Sequence, residues 1–180
     1  MQLRLYAVEI GSKNERITAD QLWLRIRDII RATNQNYGSR FNFDLLVGIS
    51  TDNGAIIRYF YQDGGSEDVD RYKAIGSGSP YGLIYLKTHW YKDITMDEAA
   101  DLAYFIIRYI ERFKLDLTVG TGEDFPRPLI RFIPDKPSSN DLTNCQPTVD
   151  DYERYETNAL TRLNNVEKSL KSDYNLTSKF

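Results

Sequence analysis

The sequence predicts an α+β layered fold, and three observations carry that expectation. Two capping boxes, Thr18 to Gln21 and Thr95 to Glu98, each open an amphipathic stripe. An Asp52-Asn53-Gly54 turn joins two β-rich runs. The elements also come in pairs: helix, helix, two strands, helix, helix, two strands, linker, helix. Pairing of this kind argues against alternating βαβ units.

The first segment is ambiguous. Leu3, Leu5 and Ala7 alternate like a strand, while Leu3, Tyr6, Ala7 and Ile10 keep helical spacing. Gly11 follows as a helix C-cap glycine would, which favours the end of a helix. After Thr18, Leu22, Ile26, Ile29 and Ile30 form one apolar stripe, with Arg25, Arg27, Asp28 and Arg31 on the rest of the surface. This helix is expected to finish near Thr33-Asn34-Gln35-Asn36. Phe43 to Ser50 and Ala55 to Tyr61 then read as a hairpin, closed by Asp63-Gly64-Gly65.

Ser79-Pro80 opens a helix, serine as N-cap and proline in the first turn, running from Tyr81 to about Trp90. Behind the second capping box, Ala99, Leu102, Ala103, Ile106, Tyr109 and Ile110 build a long stripe. Both helices are apolar enough to pack against a sheet. Thr118-Val119-Gly120 and Leu129 to Ile133 read as two more strands. Residues 136–150 read as a Pro-, Ser-, Asn- and Thr-rich linker. From 151, Tyr152, Tyr155, Ala159, Leu163, Val166 and Leu170 mark a final amphipathic helix, and the tail to 180 has no packing pattern. Its thin stripe makes this helix marginal alone, so it should be docked or frayed.

Composition narrows the function. The chain has 180 residues, 41% hydrophobic and 27% charged, room for one domain plus an extension. Its net charge of −3 supplies no positive field for nucleic acid. No apolar run approaches the roughly 20 residues that span a bilayer. A single cysteine, Cys145, cannot form an internal disulfide, and a cytoplasmic setting is expected. One histidine and one cysteine build neither a typical zinc site nor a convincing Cys-His pair, and no cofactor is expected. His89, beside Trp90 and Tyr91, reads as a half-buried packing residue, and Cys145 as an exposed thiol. Glu123, Asp124 and Arg127 read as a solvated loop. Gly76-Ser77-Gly78-Ser79 could cradle an anion at a helix start, or simply make a tight turn with Ser79 as cap.

The stretch YKAIGSGSPYGLIYLKTHWYKDITMDEAADLAYFIIRYIERFK resembles the second half of proteasome β-type subunits, of the N-terminal-nucleophile hydrolase family. A strand ending in AIGSGSPY, a short helix, an aromatic and acidic turn, and a capped long helix all follow that family's order. The helix after Thr18 and the hairpin FDLLVGISTDNGAIIRYF fit upstream of it, so the resemblance covers roughly residues 1–135. It implies a proteasome-like four-layer αββα sandwich, N-terminally truncated, with an extra C-terminal helix. It also implies assembly into rings of like or unlike subunits, and threonine-type hydrolysis of peptides or unfolded protein.

The family's nucleophile is an N-terminal threonine, and the resemblance places Met1 at the end of the family's first helix, so this chain is expected to be inactive as given. The alternative is a complete, non-catalytic structural subunit. Two supporting positions carry over. Ser77 matches the serine that hydrogen-bonds around the nucleophile's amine. Asp116 matches the acid opening an Asp-x-x-Ser-Gly turn, which here reads Asp116-Leu117-Thr118-Val119-Gly120. Valine replaces the serine, and Thr118 or Thr121 is left as a possible hydroxyl source. A chain short of its first strands would also leave a sheet face needing cover, by another chain, altered packing or the last helix.

Overall fold

The computed structural model describes residues 18–37, 43–119, 127–133 and 145–173. The segment at 3–10, Gly120, Thr121, Glu123, Asp124, most of the expected linker and the tail lie outside them.

Helix α1 (Ala19–Tyr37) begins at the expected capping box. The Gln21 N–H donates to Thr18 Oγ1 at 3.3 Å, and the Thr18 N–H donates to Gln21 Oε1 at 3.0 Å. The helix runs past its expected end because its last turn has a tertiary partner: Asn34 Nδ2 donates to the Gln62 carbonyl. Its buried face is Trp23, Ile26 and Ile30, with Leu22 and Ile29 at the margins. The aromatic residue thus takes the central position that aliphatic counting alone gave to its neighbours.

That face lies on a three-stranded antiparallel sheet in the order β1 (Leu45–Thr51), β2 (Gly54–Phe60), β3 (Ser66–Asp68). Thr51 pairs with Gly54, so Asp52-Asn53 forms the two-residue turn. Register puts Leu45, Val47 and Ile49 on the same face as Phe60, Arg58 and Ile56. Four of these residues, with Phe60 and the α1 stripe, form one core. Burying each large apolar side chain there contributes about 1.5–3 kcal/mol. On the opposite face Ile133 crosses directly over Gly48. Strand β3 was not expected, and residues 72–75, expected to end a strand, are irregular.

The other core is helical. Helix α2 (Ser79–His89) leads into α3 (Met96–Arg112) and, later in the chain, α4 (Val149–Asp173). The Thr95–Glu98 capping box is complete: the Glu98 N–H donates to Thr95 Oγ1 at 3.2 Å and the Thr95 N–H donates to Glu98 Oε2 at 2.9 Å. The residues of α3 that are buried are Ala100, Asp101, Leu102, Tyr104, Phe105, Ile106 and Ile110. Ala103, expected in the stripe, is exposed. Because α3 meets α2 and α4 at once, its buried face is broader than one stripe and takes in Ala100, Asp101, Tyr104 and Phe105, while Ala103 falls outside it. These helices pack mainly on each other rather than on the sheet.

Helix α4 is docked, not frayed. Tyr152, Tyr155, Ala159 and Leu163 are buried against α3, and only Leu170 of the expected stripe is exposed. Arg154 grips Asp97 with both terminal nitrogens at 2.7 Å, Tyr155 donates to Asp97 at 2.6 Å, and Arg162 pairs with the buried Asp101 at 2.6 Å. A third capping box, Thr148 with Asp151, opens this helix. Residues 129–133 form no strand: Phe132 N–H donates to the Cys145 carbonyl and Ile130 N–H donates to the Tyr152 hydroxyl at 3.0 Å. Cys145 is half-buried rather than exposed. His89 is exposed rather than half-buried, stacked on Tyr85 with ring centroids 5.6 Å apart. Among the described residues no helix is long and apolar enough to cross a membrane, and no cluster of acids, cysteine and histidine could hold a metal ion.

Candidate functional site: a hydroxyl and carboxylate chain beside Gly76-Ser77-Gly78

Two glycines flank Ser77 for different reasons. Gly76 has φ +85°, a left-handed conformation that a side chain disfavours. It lets the chain turn back, so that the Ser79 N–H donates to the Gly76 carbonyl at 3.0 Å. Gly78 has an ordinary φ of −77° and is the N-cap of α2. Its constraint is space, because a Cβ there would lie 2.6 Å from Val119 Cγ2. Ser79 is therefore the first helical residue and not the cap, and no side chain caps this helix.

The second half of the site comes from the end of α3. Its C-terminus closes in a Schellman motif: the Leu115 N–H donates to the Ile110 carbonyl and the Lys114 N–H to the Glu111 carbonyl, each at 3.1 Å. Lys114 takes the left-handed position at φ 49°, where glycine is usual. This reversal delivers Asp116 into a tight turn. Asp116 Oδ1 accepts from the Thr118 N–H at 2.8 Å and from the Thr118 hydroxyl at 2.7 Å. Residues 118 and 119 thus belong to a turn and not to the expected strand. Lys114→Gly is expected to raise stability by about 1 kcal/mol without disturbing this turn, read as an upward shift in thermal midpoint.

The two halves meet: Ser77 Oγ lies 2.6 Å from Thr118 Oγ1. Both expected positions, Ser77 and Asp116, are therefore brought into one chain by Thr118, one of the two hydroxyls left open by the sequence. Hydrogen bonds from the Thr118 hydroxyl, the Ser77 hydroxyl and the Thr118 N–H hold the Asp116 carboxyl below the usual carboxylate range. At neutral pH the group is an anion.

Proton counting then decides what the trio can do. The Thr118 hydroxyl hydrogen goes to Asp116 Oδ1, so the Ser77 hydrogen turns inward as well, to Thr118 Oγ1 or to the carboxylate. Ser77 is left with acceptor lone pairs and no free hydrogen. Its outer side faces a cleft of about 360 Å³ lined by Phe43, Asp44, Ile75, Gly76 and Ser77. Such a trio can accept hydrogen bonds from an amine or ammonium. It holds no group titrating near neutrality that could serve as a general base.

A helix-covered antiparallel hairpin, followed by a Gly-Ser-Gly turn into two helices, is the architecture of a proteasome-type subunit. The model of the proteasome subunit family matches residues 3–116, a span that contains both Ser77 and Asp116, and the chain belongs to that family. Among solved structures it is similar to Anbu, an ancestral β-subunit, from Yersinia bercovieri, with a TM-score of 0.65 at 16% identity. That match covers 99% of this chain and 76% of the other, so α4 falls within the matched span. No curated protein matches the chain.

Proposed function

We propose that this chain is a ring-forming proteasome-like subunit in which Ser77, Thr118 and Asp116 orient an amine rather than attack a substrate. The observation that carries this reading is the continuous hydrogen-bond chain from Ser77 through Thr118 to Asp116, whose two ends lie inside the span matched by the family and whose middle link, Thr118, lies two residues beyond it. An anion two hydroxyls deep holds a protonated or donating nitrogen in place, which is the supporting role the resemblance assigns to Ser77 and Asp116. Hydrolysis of peptides or unfolded protein, the activity implied for the family, then depends on a nucleophile that this trio does not contain. Ring assembly is supported by family membership and by the apolar exposed side of α2, where Ile84 is 64% and Leu83 37% exposed.

A purely structural subunit is the second reading, favoured by Val119. Its methyls fill the space over Gly78 where the family's turn carries a serine hydroxyl. Native mass measurement of the purified protein, followed by assay on blocked fluorogenic peptides, separates the readings. A defined oligomer without turnover is expected. A monomer at micromolar concentration overturns ring assembly, and turnover that survives Ser77→Ala and Asp116→Ala overturns the orienting role.

A further inference from the structure

We propose that the cleft beside Ser77 is a subsite for a lysine side chain of a bound peptide, with Asp44 as its counter-charge. The proposal rests on the reading of Ser77 as part of a peptide-facing site.

The cleft holds two kinds of surface. Phe43 and Ile75 are apolar, and Ile75 is 36% exposed. Asp44 and Ser77 supply acceptors. A lysine matches this division, since its methylenes cover apolar surface while its ammonium seeks acceptors. The volume of about 360 Å³ falls in the range of small ligand sites.

Asp44 is held ready for that role. The Tyr59 hydroxyl donates to Asp44 Oδ1, and Tyr59 itself is buried in the sheet. That bond to the carboxylate, with burial, pushes the tyrosine up to about 12, so it stays a hydrogen donor across the physiological range. One donor fixes the carboxylate and leaves most of its acceptor capacity for a ligand.

Lys73, the cation packed on Tyr59, is already paired: it meets Glu67 at 2.8 Å and lies over the Tyr59 ring at 4.2 Å. Among the described residues, none that lines the cleft is basic. With the Ser77 hydrogen turned inward, the side-chain polar groups among the described lining residues, Asp44 and Ser77, are acceptors that suit a cation.

The test is fluorescence anisotropy of the full chain with a labelled peptide blocked at both ends. One peptide carries a central lysine and the other its uncharged isostere norleucine. The lysine peptide is expected to bind about 10-fold tighter or more. Asp44→Asn keeps the shape and the Tyr59 bond, and is expected to bring the two peptides within about twofold of each other. Circular dichroism and the thermal midpoint confirm that the variant is folded. Equal binding of lysine and norleucine peptides, no binding of either, or a lysine preference that survives Asp44→Asn overturns the proposal. Selective binding of a peptide with a free α-amine but no lysine overturns it too, assigning the cleft to chain termini. None of these outcomes depends on the oligomeric mass, so the subsite and the ring assembly fail separately.

Discussion

Tyr155→Ala is expected to destabilise the protein by about 3–5 kcal/mol and to lower its thermal midpoint by on the order of 10 °C. Tyr155 is 1% exposed, at the centre of the contact between α3 and α4. Its ring packs near Tyr104 and Tyr152, with centroids 6.0 and 6.3 Å away. Removal leaves a ring-sized void between two helices whose positions are pinned elsewhere. Arg154 still holds Asp97 on one side and Arg162 still holds Asp101 on the other, so the helices cannot close the gap cheaply. Tyr155→Phe serves as the control. It keeps the packing and removes one bond to an Asp97 that Arg154 still satisfies, so it should cost only about 1 kcal/mol. Chemical denaturation of the two variants checks the split. Equal, small losses in both would mean that α4 contributes little to the fold.

That interface also marks where the sequence was legible and where it was not. Local signals read true. Thr18 with Gln21 and Thr95 with Glu98 cap as their spacing implies, because the capping bonds close within four residues. The hairpin follows for the same reason, its turn and register being set by adjacent residues. A third box, Thr148 with Asp151, was present in the same pattern and would have placed the start of α4 correctly.

The misses are tertiary. Leu129 to Ile133 has strand composition, yet its backbone donors go to the Tyr152 hydroxyl and the Cys145 carbonyl. Those partners are a helix and a loop, which no local pattern announces. Trp23 displaced Ile29 from the centre of α1 because Phe60 and Arg58 sit beneath and beside it, at 5.9 and 5.0 Å. At the site, resemblance pointed to Ser77 and Asp116, separated by a helix pair. The residue that joins them, Thr118, was one of two hydroxyls left open, and the other, Thr121, lies outside the described residues. Asp44 carried no signal of its own; it matters because the hairpin brings the start of β1 to the turn before α2.

Gly78→Ala is expected to cost about 1–3 kcal/mol and to part Ser77 from Thr118. The new methyl would sit 2.6 Å from Val119 Cγ2 and 3.6 Å from Val119 Cβ, so Val119 must yield. Valine is stiff about χ1, and its retreat draws the 116–119 turn with it. The hydroxyl chain should then open, and the Asp116 carboxyl should rise toward its ordinary range as it loses the Ser77 contact. Carboxyl titration followed by NMR reads this directly. The second half of the test is Val119→Ala, which deletes the colliding methyl. In the double variant, stability should recover by about 0.5–3 kcal/mol relative to the sum of the single changes. The Asp116 titration should return toward that of the native chain. Recovery would mean that glycine at 78 and valine at 119 form one fitted pair, so the valine found where the resemblance expects serine is a packing element of the site. Simple additivity would mean that Gly78 is held by backbone demands alone, and that Val119 has no part in keeping Ser77 and Thr118 together.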